Sequence, residues 1–232
     1  MLGKIKYWFK NYWYYYKWGV IIAASFIIII GICIAQSCSK EKYDVNIVYT
    51  GPHIFTVGEK DEITAALEQI MDDYNGDGKK VADLHDLTAF TDEQIEEAVN
   101  ANETSEESLV KYATYTVDRV RQSFSQVMVS DGYICLLDKY WYDILYEASA
   151  LVPLSEVLGY SPDNMIDEYS VYLGDMYLYE FFEGSVGKLP SDTIVCFRVM
   201  PATSAFTGKK QAEASYRYSM EMLRAMFDFG KN

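Results

Sequence analysis

Residues 43–51 read YDVNIVYTG, and this stretch decides the fold. Its short apolar run ends in Gly51 and Pro52, which together predict a β-strand with a sharp end. The next segment, 61–74, places its apolar residues on one helical stripe, so a helix should follow the strand. A strand followed directly by an amphipathic helix is typical of the opening unit of an α/β domain.

Further short apolar runs alternate with helical patterns after this unit. Strands are predicted within KKVADLHDLTAF (79–90), GYICLL (132–137), YSVYL (169–173) and DTIVCFRVM (192–200). Helices are predicted over about 92–101 and 105–124, in DKYWYDILYEASA (138–150), from Ser161-Pro162-Asp163, and over about 210–228. Capping boxes mark two of the helix starts, Thr91 with Gln94 and Thr104 with Glu107. The alternation predicts one domain over 44–232, a three-layer α/β sandwich with a mainly parallel sheet.

An uncharged run, GVIIAASFIIIIGICIA, precedes this domain and predicts a transmembrane helix over 19–36. Residues 1–18 form a basic and aromatic flank, and residues 37–43 form a short linker. Lysines are the only charged residues of the flank, at positions 4, 6, 10 and 17. The positive-inside rule therefore predicts a single-pass cell-membrane protein whose N-terminus is cytoplasmic and whose main domain is extracellular.

A cleaved signal peptide is the alternative to this anchor. The sequence IAQSC, which ends at Cys38, resembles a bacterial lipoprotein box, although glutamine is unusual at its position. A lipid on Cys38 would leave the domain outside the membrane and tethered to it. The uncleaved anchor is favoured because the apolar run is long enough to span a bilayer.

The charge of the chain is uneven. All 34 acidic residues lie from Glu41 onward, and only 16 of the 20 basic residues lie beyond the N-terminal flank. A domain this acidic repels nucleic acid and anionic lipid headgroups, which excludes both as partners. It accepts cations and neutral ligands.

Two cysteines, Cys135 and Cys196, each lie inside an apolar run with strand character. Buried thiols that behave as small apolar side chains explain this placement. A disulfide between them requires adjacent strands in register, and the sequence leaves that question open.

The stretch MDDYNGDGKKVADL begins like a calcium loop. Its Asp73, Asn75 and Asp77 alternate as oxygen ligands would, and Gly78 follows them. The twelfth position, where a carboxylate should close the site, is Leu84. The same residues favour a tight turn, because glycine and asparagine adopt left-handed conformations and aspartate binds its own backbone. The turn is the preferred interpretation, with calcium on these three residues as the alternative and no other cofactor expected.

No catalytic constellation is present in the sequence, which has two histidines and no nucleophile beside a base, so we do not predict an enzyme. His53 follows the first strand, at the carboxyl end where open α/β sheets bind ligands. Tyrosine-rich stretches could supply ring faces for a ligand, while Trp141 and Tyr177 are expected in the core. The candidate ligand-binding residues are His53, Tyr140, Tyr142 and Tyr172.

Three stretches together, YDVNIVYTG, EITAALEQIMDDYNGDGKKVADL and FSQVMVSDGYICLLDKYWYDIL with LVPLSEVL, resemble one lobe of a type II extracytoplasmic solute-binding protein. The chain is also similar to membrane-anchored proteins of Gram-positive gut bacteria that carry the NGDG turn at the same place. The resemblance implies an anchored extracytoplasmic module that binds a carbohydrate, a peptide or a membrane-protein partner. The alternatives are an accessory subunit docked on another membrane protein and, third, an anchored hydrolase.

Overall fold

The structure, a computed structural model, describes residues 2–38, 43–100, 114–128, 132–202 and 208–231. The chain divides into two compact units, Met1–Lys42 and Tyr43–Asn232. The first contains helix α1 (Leu2–Cys38). Within that helix the segment Trp13–Cys33 has a mean hydropathy of 2.0 and is long and apolar enough to cross a membrane, by length and composition alone.

The second unit alternates strands and helices. Its strands are β1 (Val45–Thr50), β2 (Ala82–Asp86), β3 (Gly132–Leu137), β4 (Met165–Asp167), β5 (Ser170–Tyr172) and β6 (Ile194–Phe197). Its described α-helices are α2 (Glu59–Ile70), α3 (Asp92–Asn100), α4 (Val117–Val127), α5 (Lys139–Glu147), α6 (Leu154–Leu158), α7 (Tyr177–Phe181) and α8 (Lys209–Asp228). Short 3₁₀ turns lie at Leu173–Asp175 and Val186–Lys188. The predicted α/β class is confirmed.

The six strands form one sheet in the order β2-β1-β3-β6-β5-β4. Strand β1 pairs in parallel with β2 and β3, whereas β3–β6, β6–β5 and β5–β4 are antiparallel. A mainly parallel sheet is therefore not confirmed, and the sheet is mixed. The cause lies in the connections, because only two residues separate β4 from β5 and a link this short forms a hairpin.

Buried side chains cover both faces of the sheet. Along β1, Ile47 and Tyr49 belong to one apolar cluster and Val48 to the other, as strand alternation requires. Helices α2, α6, α7 and α8 supply the first cluster, and α4 and α5 supply the second. Strands buried on both faces explain why the sequence shows nearly continuous apolar runs.

Helix boundaries differ from the prediction at two places. Helix α2 ends at Ile70 rather than at position 74, because Met71 already has an extended backbone with ψ 165° and leads into the NGDG loop. Ser161-Pro162-Asp163 starts no helix, since a turn follows it and leads into β4. Part of the predicted helix 105–124 lies outside the described residues.

Two local predictions on packing and capping have clear outcomes. The Thr91–Gln94 capping box is confirmed, with reciprocal bonds of 2.9 and 3.2 Å that join each backbone N–H to the other residue's side-chain oxygen. The Thr104–Glu107 box lies outside the described residues.

The two predictions on core packing have different outcomes. Trp141 is in the core at 1% exposure, whereas the prediction that Tyr177 is in the core is wrong, because Tyr177 is 52% exposed. Helix α7 has five residues and buries only Leu178, so its first residue faces solvent.

Candidate functional site

The connections out of β1 and β2 create a crevice at one edge of the sheet. The chain leaves β1 toward β2 on one side, and it leaves β2 toward β3 on the other side of β1. In open α/β sheets, ligands bind outside the carboxyl ends of the strands at such a switch point. The carboxyl ends of β1 and β3 lie side by side here, because the N–H of Asp138 after β3 donates to the carbonyl of Thr50 in β1 at 2.9 Å.

A cleft of about 560 Å³ lies at this position, between the start of α3, the start of α5 and the loop before β6. Six of its described lining residues are acidic, namely Asp92, Glu93, Glu97, Asp138, Asp143 and Asp192. Lys139 is the basic residue among those that line it, and its ammonium contacts both oxygens of Asp143 at 2.8 Å. The cleft is therefore strongly negative and favours a ligand that carries positive charge.

Asp138 is one of the partly buried carboxylates of the cleft and is held in place from two sides. It caps α5 by accepting the N–H of Trp141 at 3.1 Å, and it accepts the side-chain amide of Gln94 at 3.2 Å. Burial raises the pKa of Asp138, the nearby Asp192 charge adds to this, and the two hydrogen bonds oppose it without cancelling it. Asp138 therefore holds a proton more readily than an ordinary aspartate, as carboxyls at functional sites often do.

Gln94 reaches Asp138 because the capping box fixes the first turn of α3. Its side-chain oxygen accepts from the backbone of Thr91, which leaves its NH₂ group to point across the cleft. The same local motif that begins α3 thus joins that helix to the end of β3. Two sides of the cleft are consequently formed by helix starts, and the loop before β6 forms the third.

Tyr140 is the sequence-predicted ligand residue that lines this cleft. Its hydroxyl accepts from the Arg121 guanidinium at 2.9 Å. The ring also lines a second, apolar cavity of about 640 Å³ between α4 and α5, with Phe124 and Trp141. The Tyr140 side chain thus separates the acidic cleft from the apolar cavity.

The structure places the other three predicted ligand residues elsewhere. Tyr142 is buried, and its hydroxyl donates to Asp167 at 2.6 Å, so burial and this bond raise the pKa of Tyr142. Tyr172 is 38% exposed on β5. His53 lies after β1 as expected, but its ring turns toward α2, where Nε2 is 2.7 Å from Glu59 Oε1.

The His53–Glu59 pair belongs to a compact polar network. Glu59 is 4% exposed, and its other oxygen accepts the N–H and the hydroxyl of Thr56 at 2.9 and 2.7 Å. Burial alone raises the pKa of the Glu59 carboxyl, but the bonds from Thr56 and His53 outweigh it, and the net pKa lies below the ordinary value. The backbone N–H of His53 donates to the buried hydroxyl of Tyr49 at 3.0 Å. This network fixes the loop between β1 and α2.

The NGDG loop uses its side chains on its own backbone. Asp73 accepts the N–H groups of Gly76, Asp77 and Gly78 at 2.7–3.2 Å, and Asn75 accepts that of Asp77 at 2.8 Å. These are the bonds of a turn. In the described parts of the chain, no group of three or more His, Cys, Asp or Glu could hold a metal ion. Calcium on Asp73, Asn75 and Asp77 remains a prediction.

Sequence reasoning missed most of the acidic cleft. Asp138 directly follows the β3 run GYICLL, so the rule that selected His53 after β1 also selects Asp138 after β3. The pairing Thr91–Gln94 predicts a helix cap. That Gln94 also bonds to Asp138 across the cleft follows only from the fold. Asp192 gives no local signal, because the sequence does not show that the loop before β6 returns to this edge.

Comparison with known proteins yields no match, whether with protein-family models, curated proteins or solved structures. What the fold and the cleft define is an α/β domain with a mixed six-stranded sheet and an acidic crevice at its switch point.

Proposed function

We propose that this protein is a membrane-anchored extracytoplasmic module that binds a positively charged or polar uncharged ligand in the acidic cleft. The architecture proposed for its domain is the three-layer sandwich of one lobe of a solute-binding protein. Helix residues packed in both apolar clusters support that arrangement. The observation that carries the proposed function is the position of six carboxylates around one crevice at the switch point.

The chemistry of the cleft limits the classes of ligand that can bind there. Carboxylates that line a cavity attract ammonium and guanidinium groups and repel anions. The Tyr140 ring offers a face for a cation or a sugar ring, and Asp138 and Gln94 can exchange hydrogen bonds with polar groups. A basic peptide fits these features best, and a neutral carbohydrate is the second candidate.

The anchor supports the proposed location. Segment Trp13–Cys33 can cross a bilayer, and the lysines that precede it favour a cytoplasmic N-terminus. Protease added to cells without a thick wall should remove an epitope placed after Lys231 and spare an N-terminal tag. A protected C-terminal epitope would contradict this orientation.

Ligand binding can be measured by thermal unfolding of the full chain in nanodiscs of zwitterionic lipid. A ligand that binds the folded state raises its melting temperature by mass action, by about 5–10 °C at a hundredfold excess over Kd. We expect an oligolysine peptide to produce this rise and an oligoglutamate peptide of the same length to produce none. A rise with neutral oligosaccharides alone would identify the second candidate.

Matched substitutions locate the site. Glu97→Gln and Asp192→Asn each remove one negative charge from the cleft and should weaken the oligolysine effect. Glu180→Gln removes the same charge from an exposed residue of α7 and should leave the effect unchanged. If all three variants respond alike, the peptide binds through the general charge of the domain, and the cleft is not the site.

A further inference from the structure

The junction of the two halves of the sheet holds two cysteines face to face. Strand β3 is the last strand of the parallel half, and β6 is the first strand of the antiparallel half. In the register of this pair, Cys135 lies directly opposite Cys196. Both side chains are fully buried in the same apolar cluster. The structure thus supplies the condition that the sequence leaves open, namely adjacent strands in register.

The hydrogen-bond pattern fixes the spacing of the two residues. The N–H of Arg198 donates to the carbonyl of Tyr133 at 2.9 Å, and these two residues are opposite each other in the same register. Hydrogen-bonded and non-hydrogen-bonded pairs alternate along antiparallel strands, so Cys135 and Cys196, two residues further along each strand, form a hydrogen-bonded pair. Their Cα atoms are then about 5.5 Å apart, inside the range of about 4.4–6.8 Å that disulfides span.

We propose that Cys135 and Cys196 are a redox-convertible pair that forms a cross-strand disulfide when the chain folds in the presence of a disulfide oxidant. Both side chains lie on the same face of the sheet in one apolar cluster, so the register of the folded strands places the two thiols side by side. The Cys135 thiol donates to the carbonyl of Tyr133 at 3.9 Å. The inference concerns the sheet itself and does not depend on the proposed ligand.

The reaction is an ordinary thiol–disulfide exchange with oxidised glutathione or a thiol–disulfide oxidoreductase as the oxidant. The thiolate of one of the two cysteines attacks one sulfur of the oxidant's disulfide, which forms a mixed disulfide and releases one thiolate. The thiolate of the other cysteine then attacks the protein sulfur of that mixed disulfide, which forms the protein disulfide and releases the second thiolate. Two protein thiols are oxidised, one oxidant disulfide is reduced, and the two protons pass to the released thiolates.

Burial limits when the exchange can occur. Neither sulfur is exposed in the folded domain, so the exchange takes place before β6 has closed against β3. Either thiol can make the first attack at that stage, because the environment of the folded pair has not yet formed.

The same geometry makes the bond reducible. In a hydrogen-bonded strand pair the Cβ atoms lie toward the upper end of about 4.5–5.5 Å, whereas disulfides prefer about 3.5–4.5 Å. A bond drawn across that gap is strained, and strained disulfides are reduced more readily than relaxed ones. The pair should therefore convert within the range of glutathione buffers.

The test uses the full chain with Cys33→Ala and Cys38→Ala, synthesised cell-free into zwitterionic nanodiscs over a series of oxidised-to-reduced glutathione ratios. After acid quenching and denaturation, free thiols are labelled with maleimide-polyethylene glycol. We expect no label at the oxidising end, two labels after reduction, and an intact mass lower by two hydrogens. Closing a loop of about 60 residues should raise the melting temperature of the oxidised chain by about 5–10 °C, strain included.

The matched control is Cys135→Ala in the same background, which should carry one label and melt independently of reductant. Two free thiols at the oxidising end would overturn the proposal. Glutathione adducts on both cysteines would overturn it as well, because they show that the partners do not meet. A bond that survives fully reduced glutathione would contradict its convertibility.

Discussion

Two loops at opposite ends of helix α2 are both organised by a carboxylate, and they differ in burial. At the start of the helix, Glu59, which is 4% exposed, accepts hydrogen bonds from His53 and Thr56 in the preceding loop. After the helix, Asp73 collects backbone N–H groups from the NGDG turn, and these bonds are exposed. The two loops use the same chemistry of one acceptor and several local donors.

Burial decides what these bonds contribute. Water replaces an exposed hydrogen bond at little cost, whereas a buried donor that loses its acceptor remains without a partner. The loop that resembles a known motif is therefore the less important of the two for stability. Residue types that match a motif are a weaker guide than the environment in which the fold places them.

The largest expected effect is at the buried carboxylate. Glu59→Ala should reduce the free energy of unfolding by about 2–4 kcal/mol, because the Thr56 donors and His53 lose a charged acceptor. Chemical denaturation of the full chain in nanodiscs measures this. Glu62→Ala is the control, since Glu62 lies in the same helical turn and pairs with Lys188 at the surface, and it should have almost no effect. Equal losses in the two variants would remove the distinction between the loops.

The next effect tests the backbone of the exposed loop. Gly78 has φ +88°, and an added Cβ would meet no atom within 4 Å, so any penalty comes from the backbone alone. Gly78→Val should cost about 1–3 kcal/mol, because a β-branched residue resists positive φ. Gly78→Asn should cost less, since asparagine tolerates this conformation. If both variants unfold like the original chain, the loop adopts another conformation.

A smaller effect is expected at the carboxylate of the turn. Asp77→Ala removes the acceptor for the N–H of Lys79, at 3.0 Å, and should cost no more than about 1–2 kcal/mol, because this bond is exposed. Millimolar calcium should leave the melting temperature of both chains unchanged. A calcium-dependent rise that Asp77→Ala abolishes would instead establish a metal site on Asp73, Asn75 and Asp77.

The smallest effect is a pH dependence of stability that comes from Glu59 in the buried loop. The pKa of Glu59 is lower in the folded chain than its usual value of 4.5, so its ionised form stabilises the fold above that pH. This contribution is lost as the pH falls through the folded-state pKa. The stability difference between the original chain and Glu59→Gln should therefore be constant near neutrality and shrink below about pH 4.5. A difference that stays constant down to pH 3 would show that the Glu59 charge is not what the network uses.

The local parts of the fold were predictable because their signals are local. A short apolar run that ends in Gly51-Pro52 identified β1, and the Thr91–Gln94 box identified the start of α3. The direction of β6 could not be predicted, because an apolar run has the same pattern in a parallel and an antiparallel sheet. The end of α2 was predicted too late, since the stripe of apolar residues continues through Met71 after the backbone has become extended.

The candidate site was likewise predictable only where its signals are local. His53 and Asp138 both follow strands, and their places at the carboxyl edge follow from the order of elements. That His53 turns to Glu59 while Asp138 faces the cleft depends on tertiary packing. Tyr140 and Tyr142 are separated by one residue in the sequence, yet only Tyr140 lines the cleft, because helix α5 buries Tyr142 and its hydroxyl bonds to Asp167.

The position of β6 has a consequence for synthesis of the protein. This strand occupies a central place between β3 and β5, yet among the six described strands it comes last along the chain. Until residues 194–197 leave the exit tunnel, β3 and β5 on the nascent chain both have an open edge, to which another chain could pair. A chain released before this point would contain five of the six strands in two separate half-sheets. Such a product would be a target for chaperones and proteases rather than a shorter version of the domain.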